Sequence, residues 1–476
     1  MVAACGVGIF FGVFYTLSPM TVWFGAAMAL LSVCAGRGLS RRERVWVFGL
    51  LATAVSLRLL AVAGFFAFTA PGDGSFQTLI PDESYTVMRT RLLRYAALGV
   101  PLSPAEYVRH TTAFGNTGLH EVFAYAQLIF GEAPYGLRLF NATLYLTACV
   151  VLYRLARSTF GGAAALFGLA ATLFLPSLFF WSISTIKEPA FYFFTVISVS
   201  AAVVAVRAGP PWKRCAAVLV CAAMIPAVDT MRDYGGLLVA GGIFMALFLL
   251  VSMRYPRALL AALVLSAAAA AYAFQSPSTE ARMSETLRRG EEQLQWAFAQ
   301  AVIFHIGHVH TVGWHYKLLD PEFYDRGEGG RPLSSQEQFD ENASYGAMAR
   351  FTMRAAASFV FVPLPWAIPS TAILAYLPEQ VVWLVVVGLA LLGTGAGLRH
   401  DPALTLILAS VSLTLSAAIA MTAGNIGTLI RHRGVVMMLL VWLSGLGASV
   451  LLKQFAVWRA RAVPGSIQES NAQCLL

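Results

Sequence analysis

Charged residues are scarce in this chain, and their scarcity excludes a soluble globular protein. Asp, Glu, Lys and Arg make up 12% of its 476 residues, whereas a soluble domain carries roughly 25%. The hydrophobic fraction is 58% and the mean hydropathy is +0.69. This composition indicates a polytopic membrane protein. The net charge of +9 does not indicate a nucleic-acid partner, because the basic residues form short clusters between apolar runs, where such clusters fix membrane orientation.

Paired cysteines are absent as well, so neither a disulfide framework nor a zinc site built on cysteine is expected. The six cysteines are scattered, mostly within apolar runs: Cys5, Cys34, Cys149, Cys215, Cys221 and Cys474. Lysine is also rare, with 4 lysines against 29 arginines. Together with the abundance of alanine, this ratio is typical of a GC-rich bacterial genome.

What the sequence does contain is a series of long apolar runs. Runs of about 17–25 residues match a bilayer core about 30 Å thick. They predict an all-α fold, a polytopic transmembrane bundle of about 12 spans with amphipathic helices on its outer face. The predicted spans are 2–17, 19–35, 46–69, 137–156, 161–182, 188–206, 214–230, 235–253, 257–274, 380–398, 402–423 and 435–452.

Arginine clusters between the apolar runs predict the topology. Clusters at 37–44, 154–157 and 207–214 mark cytoplasmic loops, which puts both termini in the cytoplasm of a bacterial inner membrane. The other polar segments then lie on the extracytoplasmic side. The predicted segments are an N-terminal hairpin (1–35), a membrane core (36–274) with an outer loop (70–137), an extracytoplasmic or interfacial region (275–379), and C-terminal spans with a short tail (380–476).

Two adjacent carboxylates, Asp82 and Glu83, follow the predicted span 46–69 on the outer side. A charge close to the hydrocarbon is costly and by default marks a functional site. The pair could supply a general base or bind a divalent cation. The alternative is an ordinary solvated pair in a loop.

Basic residues at outer helix ends are candidates for binding a lipid phosphate. Arg431 and Arg433 lie in the segment 424–433, which is predicted to be on the outer side between the last two spans, and guanidinium groups bind phosphate bidentately. The alternative for these two is snorkelling to bulk lipid phosphates. The remaining candidates, for which a local ion pair that caps a helix is an equally good explanation, are Lys187, Arg232 and Arg138.

A group of histidines raises the possibility of a divalent metal, although no cofactor is firmly indicated. His305 and His308 would share one face of a helix. The alternative is a surface segment at the lipid interface. Nearby residues that could complete a metal site are Asp320, Glu322 and Asp325.

Three stretches following the carboxylate pair resemble a known family. They are Gly136-Leu-Arg138-Leu-Phe-Asn141, Tyr153-Arg-Leu-Ala-Arg157-Ser-Thr-Phe160-Gly161 and Pro176-Ser-Leu-Phe-Phe-Trp181-Ser. Over roughly residues 45–230 the chain resembles bacterial membrane glycosyltransferases of superfamily C, which include protein O-mannosyltransferases and lipid A aminoarabinose transferases. Residues 176–188 and 424–433, with their Ser-x-x-x-Lys-Glu and Gly-Thr-x-x-Arg-x-Arg elements, also resemble membrane proteins of bacterial exopolysaccharide regions.

The resemblance implies transfer of a sugar from a polyprenyl-phosphate donor to an extracytoplasmic acceptor, which could be a glycan, a lipid or a protein. Asp82 matches the expected catalytic carboxylate, with Glu83 as the second candidate. The partners implied are the donor, the acceptor and membrane lipids. Two other functions stay open: a transporter or flippase of lipid-linked glycans, and a non-catalytic subunit of an envelope assembly. A transporter would carry charges deep within its spans, whereas the spans here are almost uncharged, with Arg58 as the main exception, which favours chemistry at the membrane surface.

Overall fold

The apolar runs fold into helices throughout the part of the chain that the structure describes. The computed structural model describes residues 19–68, 78, 81–103, 105, 118–132, 134–273, 277–311, 313–319, 345–367, 374 and 376–462. Helices make up 88% of these residues, which include no β-strand. The prediction of an all-α fold is therefore confirmed.

The α-helices in the described ranges are named here in chain order. The first nine are α1 (Met20–Gly36), α2 (Arg41–Ala67), α3 (Pro81–Ala97), α4 (Gly118–Phe130), α5 (Pro134–Phe160), α6 (Gly162–Phe174), α7 (Pro176–Ser182), α8 (Glu188–Arg207) and α9 (Pro211–Met231). They are followed by α10 (Gly235–Arg254), α11 (Pro256–Ala273), α12 (Pro277–Val309), α13 (Tyr345–Phe361), α14 (Leu377–His400), α15 (Pro402–Thr422) and α16 (Ile426–Ala462). A short 3-10 helix (Pro365–Ala367) lies between α13 and α14.

Local sequence explains several helix boundaries. α2 begins with a capping box, in which the Ser40 hydroxyl accepts from the Glu43 N–H (3.3 Å) and the Glu43 carboxylate accepts from the Ser40 N–H (3.2 Å). α6 ends before Pro176, which has no N–H to donate and disfavours a helical conformation in the residue before it. α7 then starts at an angle of 65° to α6.

Within the described ranges, eight helices are long and apolar enough to cross a membrane, or nine if the bent α6–α7 pair is one span. They indicate a multi-pass membrane protein, and they match the predicted spans 46–69, 137–156, 188–206, 214–230, 235–253, 380–398, 402–423 and 435–452. Of the other predicted spans, 2–17 lies outside the described residues, and 161–182 is the bent pair. The predicted spans 19–35 and 257–274 are the shorter helices α1 and α11.

The polar segment 424–433 is mostly helical. α15 ends at Thr422 and α16 begins at Ile426, so Arg431 and Arg433 lie in the first turns of α16. The drop in hydropathy at the two arginines marks no break in the helix. The charged residues at 280–292 form part of α12.

The chain divides into two compact units. The first comprises Met1–Leu237, Val386–Leu408 and Met438–Leu476, and the second comprises Leu238–Val385 and Ala409–Met437. The sequence-based segment boundaries after residues 35, 274 and 379 stay a prediction. Each unit is described separately below.

In the first unit, α6 packs closely against α16. A Cβ atom on Gly445 would lie 2.3 Å from the backbone oxygen of Ala164, and one on Gly168 would lie 2.5 Å from the ring of Trp442. Both contacts are shorter than van der Waals separation, so this helix crossing requires glycine at the two positions.

Arg58 lies in the middle of α2 and is fully buried. Its Nε donates to the Ser182 hydroxyl (2.8 Å), its Nη1 to the Ala54 carbonyl (3.0 Å) and its Nη2 to the Leu173 carbonyl (3.2 Å). The Leu173 carbonyl needs a donor from outside its own helix, because α6 ends one residue later. Arg58 therefore links the two sides of the α6–α7 break.

Replacing Arg58 by methionine is expected to destabilise the folded chain by about 2 kcal/mol, because it leaves a buried carbonyl without its donor. The measurement is thermal unfolding of the purified protein in detergent micelles. Arg42→Met, at an exposed position on the same helix, is the matched control. Equal stability of the two variants would rule out Arg58 as the residue that secures the break.

Candidate active site

The two predicted carboxylates have different environments. Asp82 and Glu83 lie in the first turn of α3, where negative charge interacts favourably with the helix dipole. Consecutive helix residues point about 100° apart. Asp82 is exposed, whereas Glu83 is fully buried. Asp82 is thus a surface carboxylate and Glu83 a core carboxylate.

Glu83 belongs to a buried polar network. Its Oε2 accepts from Arg138 Nη2 at 3.1 Å, and both side chains are 0% exposed. Its Oε1 accepts from the Thr185 backbone N–H (2.7 Å) and from the Thr185 hydroxyl (3.4 Å). The Arg138 guanidinium also lies over the ring of Phe65, 4.9 Å from its centroid. The fold thereby joins two residues that the sequence placed in separate candidate groups, Glu83 and Arg138.

The backbone segment that contacts Glu83 is the loop at 183–187, between α7 and α8. Asn141 of α5 holds the same loop, since its Nδ2 donates to the carbonyls of Ser184 and Ile186, each at 2.8 Å. Lys187, the last residue of the loop, is half-buried and occupies the N-cap position of α8. A third predicted site residue therefore lies at the end of a loop that the network anchors.

The Glu83 network and the arginine-rich loops lie at opposite ends of α5. Arg157, close to the C-terminus of α5, pairs with Glu43 at 2.8 Å. The 19 residues that separate Arg138 from Arg157 span about 28 Å of helix, close to the thickness of a bilayer core. One end of this helix is thus basic, and the other carries the candidate site.

Arg232 is half-buried and caps the C-terminus of α9, where its backbone N–H donates to the carbonyls of Val228 and Asp229. The same helix end packs against the start of α4, since a Cβ on Gly118 would lie 2.8 Å from the Thr230 hydroxyl. Phosphate binding by Arg232 stays a prediction.

In the second unit, Arg433 donates hydrogen bonds to backbone carbonyls at the C-terminus of α13. It is 3% exposed, and it donates to the carbonyls of Phe359 (2.7 Å) and Ser358 (3.0 Å) and to the side-chain oxygen of Gln380 (2.7 Å). Gln380 in turn donates to the carbonyl of Val360 (2.9 Å). These carbonyls belong to the last turn of α13, where the Ser358 carbonyl also accepts from the Val362 N–H (3.0 Å) and Pro363 has no N–H for the Phe359 carbonyl. Three nitrogens of Arg433 are therefore already used within the protein.

Arg431 is half-buried and so more accessible than Arg433. A crevice beside Arg433, with a cavity volume of about 10 Å³, is lined by Glu379, Gln380, Trp383, Ile430, Arg433 and Met437. A cavity of this volume holds about one water molecule, so it does not indicate a substrate site.

The two histidines proposed as metal ligands bind backbone atoms in the second unit. His305 Nδ1 donates to the Ala423 carbonyl (2.7 Å), and its Nε2 accepts from the Leu318 N–H (3.4 Å). His308 Nδ1 contacts the Thr422 carbonyl at 2.7 Å. Among the described residues no group of three or more His, Cys, Asp or Glu side chains could hold a metal. The acidic residues at 320, 322 and 325 lie outside the described residues.

Sequence reasoning did not select Asn141 or Thr185 as site residues. One signal was present, because Asn141 is an amide side chain within an apolar span and lies three residues after Arg138, on the same helix face. Thr185 carried no comparable signal, since its backbone N–H forms the shorter contact with Glu83. Backbone contacts of this kind depend on the path of the loop and cannot be read from residue types.

Stability is expected to fall by about 3 kcal/mol as the pH falls from 7 to 4, through His305. Burial lowers the pKa of His305 from 6.5 to about 4, although its hydrogen bond to Ala423 acts in the opposite direction. Between these values the unfolded chain binds a proton that the folded chain does not, so acidification favours unfolding. Unfolding in detergent between pH 7 and 4 should show a smaller pH slope for His305→Gln than for wild type. The exposed His310 supplies the control His310→Gln, and an unchanged slope in His305→Gln would contradict the assignment.

Comparisons with protein-family models, with curated proteins and with solved structures find no significant match. The resemblance to superfamily C glycosyltransferases therefore stays a prediction. What the chain does must be argued from the residues that its fold brings together.

Proposed function

We propose that this chain is a bacterial inner-membrane glycosyltransferase that moves a sugar from a polyprenyl-phosphate donor to an extracytoplasmic acceptor. The observation that carries the proposal is the exposed Asp82 next to the buried Glu83–Arg138 pair, whose network also anchors the loop ending in Lys187. Asp82, the candidate base, and Lys187, the candidate phosphate ligand, are thus each next in sequence to a residue of one buried polar network. The proposal includes a bundle of about 12 spans of the superfamily C type.

The proposed reaction assigns each polar group one task. Asp82 accepts the proton of the acceptor hydroxyl while that oxygen forms a bond to the anomeric carbon of the sugar. The bond from the anomeric carbon to the phosphate oxygen breaks, and the lipid phosphate leaves with the electron pair. Lys187 interacts with the negative charge that develops on this phosphate. Arg232 and Arg431 are further candidate phosphate ligands by their positions at helix ends.

The distribution of arginines supports an extracytoplasmic site. Cytoplasmic loops of membrane proteins are enriched in Lys and Arg, and the loops at 37–44, 154–157 and 207–214 carry such clusters. The Glu83 network lies about 28 Å from Arg157 along α5. The proposal accordingly places Asp82 on the outer face and both termini in the cytoplasm, in an envelope or exopolysaccharide pathway.

A transporter or flippase of lipid-linked glycans is the second candidate, because the α6–α7 pair is bent at a break. Broken helices often contribute to the binding sites of transporters. The buried cation at this break is Arg58, whose three nitrogens donate to protein acceptors. The charge deepest in α2 thus has a structural task, which favours the transferase.

Asp82→Asn is expected to reduce sugar transfer by about 100-fold or more, because asparagine cannot accept the proton of the acceptor hydroxyl. The assay uses proteoliposomes and radiolabelled polyprenyl monophosphate and diphosphate sugars. Glu121→Gln is the matched control, because Glu121 is also an exposed acid in the first turn of a neighbouring helix, α4. Undiminished transfer by Asp82→Asn would remove Asp82 from the mechanism. Movement of the labelled donor across the bilayer without any transfer would establish the transporter instead.

A further inference from the structure

The loop at 183–187 is a non-helical segment enclosed by helices. Its residues 183–186 are each 2% exposed or less, and Lys187 is half-buried. Backbone N–H and C=O groups that are buried outside a helix need partners, since an unpaired group costs free energy. The hydrogen bonds made by the backbone groups of this loop therefore determine where Lys187 lies.

Two side chains from two different helices form hydrogen bonds with the backbone groups in the middle of the loop. Asn141 donates both amide hydrogens, one to Ser184 O and one to Ile186 O. Because both acceptors are carbonyls, the amide must present its nitrogen to the loop. Glu83 accepts the intervening Thr185 N–H. Three successive backbone groups are thus held by side chains that are 0% exposed.

The other contacts of Glu83 indicate a holding role. One carboxylate oxygen accepts from the loop and the other accepts from Arg138. With no exposed surface, this carboxylate does not reach a substrate hydroxyl. Arg138 and Asn141 lie three residues apart, on one face of α5. α5 therefore holds the loop twice, directly through Asn141 and indirectly through Arg138 and Glu83.

We propose that Asn141 is a positioning residue that, together with Glu83, fixes the 183–187 loop so that Lys187 is held against the phosphate of the donor. Glu83 and Arg138 then act as the support of the site, and neither touches the substrate. The part of the inference that concerns Lys187 and phosphate rests on the proposed function. The anchoring of the loop does not.

A double-mutant cycle tests whether Asn141 acts through Lys187. Asn141→Leu has nearly the same size but no donors, and a displaced catalytic or binding group costs up to about 100-fold. We expect Asn141→Leu and Lys187→Gln each to lower kcat/KM for the donor by about 10- to 100-fold, with KM for the acceptor unchanged. The double variant should lose no more than the worse single variant, because both changes remove one interaction. Losses that multiply would overturn the proposal.

Controls distinguish this effect from general damage to α5. Thr143→Val, on the same helix, removes a buried hydroxyl that bonds only to the Leu139 carbonyl of its own helix, and it should leave kcat/KM within about twofold. Asn141→Ser keeps one donor and should lie between wild type and Asn141→Leu, so the inference stays testable if the leucine variant does not fold. A serine variant as active as wild type would contradict the role of the two hydrogen bonds.

Cysteine labelling tests the anchor without any transfer assay. Lys187→Cys is placed in a full-length chain whose six cysteines are replaced by serine or alanine, and its reaction with a membrane-impermeant maleimide is timed. Asn141→Leu should raise the labelling rate at least about fivefold, because a released loop opens more often. An unchanged rate overturns the anchor even if transfer is observed. A raised rate in a chain that transfers no sugar supports the anchor and refutes the proposed function.

Discussion

Every break in a helix inside an apolar bundle leaves backbone groups that water does not reach, and the fold depends on side chains that satisfy them. A continuous helix needs no help, because its carbonyls and N–H groups pair internally. At the α6–α7 break the donor is Arg58. At the C-terminus of α13 the donors are Arg433 and Gln380. At the loop before α8 the donor is Asn141. These four buried polar residues therefore lie beside interruptions of helices.

This constraint also links structure to the proposed chemistry. A buried cation is costly unless it is paired. A buried arginine whose N–H groups already donate to the carbonyls at a helix end is therefore a poor ligand for an incoming phosphate. Arg433 illustrates the conflict, since its nitrogens hold two carbonyls and an amide oxygen. The position of Lys187 is set by its loop, in which the carbonyl of the preceding residue, Ile186, accepts from Asn141. Residues near such anchors are better candidates for substrate contact than the anchors themselves.

Hydropathy predicted where long spans lie but not where helices break or how far they extend. It read 161–182 as one span because Pro176 sits in an apolar run, and a window average does not register one proline. At the other end of the chain the predicted span 435–452 is the middle of a longer helix, because α16 also includes Arg431 and Arg433. A window average thus locates an apolar stretch, but it records neither a bend within that stretch nor a helix that continues past its ends.

The candidate site shows the same limit at the scale of one residue. The sequence treats Asp82 and Glu83 as a pair, because adjacent acids have the same chemistry. On a helix they point about 100° apart, which leaves Asp82 exposed and takes Glu83 into contact with Arg138 and Thr185. A residue with both carboxylate oxygens engaged in the core is suited to holding a loop, and its exposed neighbour is suited to accepting a proton. The difference arises from the register of α3 against its neighbours, so tertiary structure is what assigns the two acids to different tasks.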